Sequence, residues 1–236
     1  MGRAFEYRKA AKFARWDRMA KAFTRAGREI AIAVKAGGPS PDTNANLRRA
    51  IQNAKAAQMP KDRVEAAIKR ASSTDTKGFS EVVYEAMGPH ATAIVIETAT
   101  DNPTRTVANL RAILNKNGGS MGTQGMHDFI FERKGVFKIN AANHDTDELE
   151  LELIDAGLDS LEKDEEGHLL LYTKFADFGS MQKALEDKGI EAMSAELQRI
   201  PSLHKELNEA ETDDVLELID KLEQDDDVQT VFHNLA

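Results

Sequence analysis

Basic side chains recur along the first part of the chain at spacings that bring them to one face of a helix. At about 100° per residue, five of them fall within roughly 100° of one another. This basic stripe consists of Arg18, Lys21, Arg25, Arg28 and Lys35. Positive charges in such a row suit the phosphates along one groove edge of a nucleic acid, and phosphate contacts position a protein without reading base sequence. The stripe therefore predicts contact with nucleic acid.

Further basic residues extend this charge on both sides of the stripe. A solvated helix face usually mixes the two signs, with glutamate four residues before lysine, whereas here one sign dominates. The candidate nucleic-acid-binding residues outside the stripe are Arg8, Lys9, Lys12, Arg15, Arg48 and Arg49.

The charge of the chain divides into two parts. Residues 1–77 contain 18 Lys and Arg against 7 Asp and Glu, a balance of +11. The totals of 31 basic and 40 acidic residues leave 13 basic and 33 acidic residues for 78–236, a balance of −20. We expect the basic part to meet a polyanion, and the acidic part to repel it or to meet a basic protein partner.

No set of residues indicates catalysis, a metal or a cofactor. The six histidines are never closer than 17 residues apart, and we find no carboxylate–histidine spacing that places ligands on one helical turn. The absence of cysteine excludes a thiolate zinc site, an iron–sulfur cluster and a cysteine nucleophile. No Ser-His-Asp set or carboxylate pair stands out. We therefore predict a protein that is not an enzyme, with no catalytic residues, metal ligands or cofactor.

Two other features receive a structural interpretation. The glycine-rich stretch 118–125 lacks the Lys-Ser/Thr pair of a phosphate loop and precedes a strand, so we expect a turn. The acidic runs 145–152, 162–166 and 225–227 alternate with leucine or end in loops, which is typical of solvated surfaces rather than magnesium sites.

The first 77 residues predict a bundle of three helices. An apolar stripe recurs at helical spacing opposite the basic one, and it contains Trp16, Met19, Phe23, Ala26, Ile30 and Val34. Gly37 and Gly38 end this helix, and Ser40 before Pro41 is the expected N-cap of the second. A third helix starts after Met59-Pro60. The bundle lacks the interleaved aromatic residues of a platform that stacks single strands.

The acidic part predicts two α+β domains. From Val136 to Arg199 the order of elements is β-α-β-β-α-β, which is the ferredoxin-like arrangement. A hairpin is expected across Arg133-Lys134-Gly135, and a last helix and strand near residues 215–232 complete the unit that starts at Gly78. The predicted domains are therefore 1–77, a discontinuous domain of 78–134 plus 201–236, and an inserted domain of 135–200.

Several stretches resemble the YebC/PmpR family, the bacterial relatives of the mitochondrial translational activator of cytochrome oxidase. They extend through most of the chain and together are highly specific. The matching residues are Phe23-Thr24, Arg28-Glu29-Ile30, Val34-Lys35, Gly37-Gly38, Asn53-Ala54-Lys55-Ala56, Met59-Pro60-Lys61-Asp62, Ala67-Ile68-Lys69-Arg70, Tyr84-Glu85-Ala86-Met87-Gly88-Pro89, Thr100-Asp101-Asn102, Lys116-Asn117-Gly118-Gly119-Ser120 and Phe131-Glu132-Arg133-Lys134-Gly135.

The resemblance implies a helical N-terminal domain and two α+β domains, one inserted in the other. It also implies one of two functions. The first is a transcriptional regulator that binds duplex DNA, and the alternative is a ribosome-associated translation factor that contacts ribosomal RNA or tRNA. The charged N-terminus has no apolar signal segment, and no apolar run reaches the ~18 residues of a membrane span, so we expect a cytoplasmic protein without a membrane partner.

The stripe also carries an expectation about stability. Because Arg25 and Arg28 lie opposite the apolar face, replacing both with Glu should weaken nucleic-acid binding while leaving the melting temperature nearly unchanged.

Overall fold

A computed structural model describes residues 3–73, 78–141 and 144–236, with side chains from residue 18 onward. The helices in these ranges are α1 (Arg3–Gly37), α2 (Ala45–Ala56), α3 (Lys61–Ala71), α4 (Pro103–Lys116), α5 (Thr146–Leu153), α6 (Phe178–Asp187) and α7 (Glu209–Glu223). The strands are β1 (Ser80–Met87), β2 (Ala93–Thr100), β3 (Ser120–Met121), β4 (Phe131–Ile139), β5 (Leu158–Lys163), β6 (Leu169–Lys174), β7 (Ala192–Pro201) and β8 (Val228–His233).

The helical domain is built around α1, which is far longer than its partners. Its 35 residues span about 52 Å, whereas the 12 residues of α2 span about 18 Å. The buried residues Ala26, Ile30 and Val34 lie in the C-terminal half of α1, so α2 and α3 pack against that half. Among the described residues, no helix combines the length and apolar character that a membrane crossing requires.

The connection from α1 to α2 depends on one asparagine. The buried side chain of Asn44 accepts a hydrogen bond from the Leu47 amide at 3.0 Å and donates to the Ala33 carbonyl at 2.8 Å. A Cβ on Gly37 would come within 2.7 Å of this side chain, so glycine permits the close approach. The prediction that Ser40 caps α2 was wrong, because the chain makes a further turn before the helix begins.

The first sheet has the strand order β3-β1-β2-β8. Its strands are antiparallel, and α4 and α7 cover one face. Alternation along β2 decides what each face buries: Ile94 and Ile96 point to the helices, and Ala93 and Val95 point to the opposite side.

The second sheet has the order β5-β6-β4-β7, with every neighbouring pair antiparallel. Helices α5 and α6 pack on one face over a core that includes Phe137, Leu153 and Leu171. This is the ferredoxin-like arrangement, and the predicted fold class, a helical bundle followed by two α+β domains, is confirmed.

The predicted hairpin across Arg133-Lys134-Gly135 was wrong, because these residues lie inside the continuous strand β4. Gly135 marks a close packing point rather than a turn. A Cβ there would lie 2.5 Å from the Phe178 ring and 2.7 Å from the Thr173 hydroxyl.

Strands β4 and β7 also join the two sheets. Phe131, at the start of β4, packs against Ala93 and Val95 on the face of the first sheet that α4 and α7 leave uncovered. Arg199 of β7 donates to the Glu97 carboxylate of β2 at 2.9 Å. The division at 134/135 and 200/201 therefore falls inside these strands, and the domain boundaries remain our proposal.

Helix α2 binds β7, the outermost strand of the second sheet, through side-chain amides. The Asn53 amide nitrogen donates to the Ala195 carbonyl, and its oxygen accepts from the Ala195 amide, both at 3.0 Å. Gln52 donates to the Ala192 carbonyl. One asparagine side chain thus hydrogen-bonds to both polar groups of a strand residue, as a neighbouring strand would.

Replacing Asn53 with alanine should lower the free energy of unfolding by about 1–3 kcal/mol, because both groups of Ala195 lose their partner. Urea unfolding measures the loss, and amide exchange at Ala195 should become faster. Asn115→Ala, at an exposed position of α4, is the matched control and should leave stability unchanged or slightly higher. Equal effects of the two substitutions would contradict the assignment.

Candidate nucleic-acid interface

The predicted binding residues differ widely in their surroundings. Arg8, Lys9, Lys12 and Arg15 belong to α1, and their side chains lie outside the described residues. Arg18 is exposed. The remaining candidates are directed toward other parts of the protein.

Arg25 and Arg28 face the domain that contains the first sheet. Arg25 donates to the Glu223 carbonyl at 3.0 Å. Arg28 donates to the Ala99 carbonyl at 2.6 Å and forms an ion pair with Asp227 at 2.9 Å. With side-chain exposures of 14% for Arg28 and 4% for Asp227, this ion pair is largely removed from water.

Asp227 is the centre of a cluster of hydrogen bonds, which we call the Asp227 cluster. Its carboxylate accepts from Arg105 at 2.8 Å and from the hydroxyls of Thr106 at 2.7 Å and Thr100 at 3.2 Å, in addition to Arg28. Burial raises the pKa of Asp227, but hydrogen bonds from Arg105, Thr106 and Arg28 outweigh it, so this pKa lies below the ordinary value. The carboxylate therefore stays ionised at neutral pH.

Arg48 and Arg49 lie on α2 near the domain that contains the second sheet. Arg48 pairs with Glu186 of α6 at 3.1 Å. Arg49 is 3.6 Å from Glu29, and its guanidinium lies 5.6 Å from the centre of the Phe178 ring. Both arginines are thus engaged within the protein.

Lys21 and Lys35 complete the basic stripe. Lys35 is exposed and donates to the Ser73 carbonyl at 3.2 Å. Lys21 lines a small depression together with Asp225 and Asp226, beyond the end of α7. Lys21 is half-buried, and it also lies beside acidic residues of the domain that contains the first sheet.

These contacts correct the expectation about Arg25 and Arg28. At Arg25 and Arg28, the face opposite the apolar stripe of α1 packs against a second domain instead of solvent, so replacing these residues with Glu would place carboxylates beside Asp227 and Glu223. The basic and acidic parts of the chain therefore attract each other within the molecule. The charge pattern alone predicted contacts of each part with other molecules only.

Helix α3 presents exposed basic residues that the sequence analysis did not single out. They are Lys61, Arg63, Lys69 and Arg70. The sequence did contain a signal for two of them: Arg63 and Arg70 are seven residues apart, which places both on nearly the same face of a helix.

A cleft of about 590 Å³ lies between α1, α3 and the residues that lead into β1. We call it the α1–α3 cleft. Phe23, Gly27 and Ala31 contribute to it from α1, Ala67 from α3, and Phe79 from the approach to β1. Its basic lining residues are Arg28, Lys35, Arg63 and Arg70.

Two phenylalanines of this cleft lie beside arginines. The Arg63 guanidinium is 5.7 Å from the centre of the Phe23 ring, and that of Arg28 is 5.0 Å from the Phe79 ring. The two rings are 56 positions apart in the sequence. They therefore do not form the closely interleaved aromatic pattern of a stacking platform in the sequence.

The turn between β5 and β6 brings together a carboxylate–histidine group that the sequence analysis missed. Ligand atoms of Asp164, Glu166 and His168 lie within 4.8 Å of one another. The prediction that no carboxylate–histidine pair has ligand spacing was wrong for Asp164 and His168, which are four residues apart. The Lys138 ammonium already pairs with Asp164 at 2.8 Å and Glu166 at 3.2 Å, and its hydrogen bond holds the pKa of Asp164 far below the usual range. An ion-pair cluster explains this geometry.

The glycine-rich stretch 118–125 is tied down by a buried carboxylate. Glu85 accepts hydrogen bonds from the backbone amides of Gly125 at 2.7 Å and His127 at 2.8 Å. Two of the backbone amides in and beside this stretch are thus occupied by the protein itself.

The fold and its interface define a class: an α+β multidomain protein in which a basic helical domain packs against an acidic α+β region. Two family models match the chain, "TACO1/YebC protein N-terminal domain" over residues 3–74 and "TACO1/YebC second and third domain" over residues 79–235. The chain belongs to the TACO1/YebC family, as the sequence resemblance indicated.

Similar proteins extend over the whole chain. A "probable transcriptional regulatory protein" of Flavobacterium johnsoniae is 53% identical over 235 residues, which cover 100% of this chain and 99% of the relative. A protein of the same description from Myxococcus xanthus is 54% identical over 241 residues, with complete coverage of both. The crystal structure of a conserved hypothetical protein from Aquifex aeolicus is 32% identical, with a TM-score of 0.78 over 92% of this chain and 90% of that one.

Replacing Arg28 with alanine should lower the free energy of unfolding by about 2–3 kcal/mol, because the buried Asp227 loses one of its two guanidinium partners. Thermal and urea unfolding measure the loss. Arg18→Ala, at an exposed position of the same helix, should change stability by less than about 0.5 kcal/mol. If both variants unfold like the wild type, the Asp227 cluster does not hold the domains together.

The low pKa of Asp227 makes stability depend on pH. The charged carboxylate stabilises the folded state above its unfolded pKa of about 3.9, and this contribution is lost as pH falls through the lower folded pKa. Asp227→Asn should therefore be less stable than wild type at pH 6, with a smaller gap at pH 3. Urea unfolding at both pH values measures the gap. The same gap at both would contradict this role of the carboxylate.

Proposed function

We propose that the protein is a non-enzymatic transcriptional regulator that binds duplex DNA in the cytoplasm through its helical domain. One observation carries the proposal: the domain presents exposed basic residues in addition to those that contact the other two domains. They include Arg18, Arg63 and Lys69. The similar proteins described as probable transcriptional regulatory proteins support the regulatory role.

The length of α1 supports the choice of duplex DNA. Its N-terminal half contains Arg8, Lys9, Lys12 and Arg15, whereas the residues of α1 that form the bundle core lie in its C-terminal half. A basic helix segment of about 25 Å fits along or within the major groove. The acidic remainder of the chain, at −20, would keep the other domains away from the phosphates.

The salt dependence of binding tests the proposal. If about six phosphates are contacted, log K should fall against log salt with a slope near −5, which is roughly a thousandfold between 50 and 200 mM salt. The double variant Arg15→Glu/Arg18→Glu should weaken binding at least about tenfold. It should also make the slope shallower, from about −5 to about −3, because two phosphate contacts are lost. Fluorescence anisotropy with a labelled duplex measures both quantities.

The matched control is Lys163→Glu/Lys174→Glu, which makes the same change of net charge at two exposed lysines of the second-sheet domain. It should leave affinity and slope almost unchanged. If both double variants weaken binding equally, affinity follows net charge and α1 is not the interface.

The second candidate function is a translation factor that docks on ribosomal RNA, with the acidic domains facing basic ribosomal proteins or tRNA. The charge balance of −20 over residues 78–236 favours a basic protein partner in this case. Crosslinking in cells, followed by sequencing of the bound nucleic acid, separates the two. Enriched DNA sites support the regulator, and recovery of ribosomal RNA without them would replace it with the translation factor.

A further inference from the structure

A glycine in the α1–α3 cleft has no packing reason to be glycine. Gly27 lies in the interior of α1, where glycine is about 1 kcal/mol less favourable than alanine. A Cβ built on Gly27 meets nothing within 4 Å, so no described neighbour requires its small size. Its effect on the structure is to keep part of the cleft empty.

The cleft around this space combines aromatic rings with guanidinium groups. Phe23 and Phe79 are only partly buried, and each lies beside an arginine. Aromatic faces and the planar guanidinium of arginine are the groups on which unstacked nucleic-acid bases stack.

The charge of the cleft is of one sign. Four of its lining residues are basic, and the described lining includes no carboxylate. Arg63 is exposed on α3, whereas Arg28 is held by Asp227 and serves as part of the wall. An anionic ligand with a flat aromatic part matches both the charge and the rings.

We propose that the α1–α3 cleft binds one unpaired base of a nucleic-acid strand, with the adjoining phosphates against its basic rim. This inference rests on the proposed function and adds a preference for bulged or single-stranded positions. The volume of about 590 Å³ is that of a small-ligand site. The cleft extends about 22 Å along α1, from Ala20 to Lys35, so an acidic amphipathic helix would also match its length and charge. The two ring–guanidinium pairs favour a base, and binding of such a helix is an outcome of the test.

The test compares two short DNA duplexes in fluorescence anisotropy, one fully paired and one with a single bulged 2-aminopurine. Stacking on an aromatic group contributes about 1–3 kcal/mol per base, so the full-length protein should prefer the bulged duplex by about tenfold or more. Fluorescence of the 2-aminopurine should fall on binding, because the base becomes stacked.

Gly27→Leu should abolish this preference by placing a side chain in the empty space beside position 27, without weakening binding to the paired duplex. Leucine favours the helix over glycine, so the variant should fold at least as stably as the wild type. Gly179→Leu is the matched control, because Gly179 also lies in a helix and a Cβ there meets nothing within 4 Å. It should retain the preference. Phe79→Leu should also reduce it.

Three results would overturn the inference. The wild type could bind both duplexes equally, or Gly27→Leu could retain the preference, or an acidic amphipathic peptide could occupy the cleft while the bulged base has no effect. Failure of the proposed function is distinguishable, because the protein would then bind neither duplex.

Discussion

The buried carboxylate of Asp227 fixes the position of the helical domain. It lies just before β8 and receives hydrogen bonds from Arg28 of α1 and Arg105 of α4. A carboxylate removed from water is stable as an ion only when its oxygens are paired, so the two arginines and the threonine hydroxyls must stay in place. The α1–α3 cleft depends on this arrangement, because Arg28 also forms part of its wall.

The basic residues of the helical domain can therefore serve two purposes, contact with the acidic part of the same chain and contact with an external polyanion, and the two compete for the same side chains. Arg25, Arg28 and Arg48 of the basic part contact the acidic part of the same molecule. A protein that binds a polyanion through one domain must prevent its acidic domains from occupying that surface. Here the intramolecular contacts use the faces of α1 and α2 that meet the two sheets, and they leave exposed charge at Arg18 and along α3.

Local pattern was sufficient to predict much of the fold but little of the candidate site. Periodicity located the ferredoxin-like order between Val136 and Arg199, because alternation within strands is a local property. It failed at Gly135, whose role depends on Phe178 and Thr173 in other elements. The stripe of α1 was located correctly on a helix, yet sequence spacing cannot show which domain covers a helical face. Phe23 and Phe79 come to line the same cleft only through the tertiary fold.

The asparagine contact between α2 and β7 has a consequence for solubility. Strand β7 is the edge of its sheet, and an open edge offers unpaired amide and carbonyl groups to any extended chain. The Gln52 and Asn53 amides occupy these groups without extending the sheet, since a helix offers no further edge. If the helical domain detached, the edge would be open to strands of other molecules, and self-association or aggregation would accompany its release.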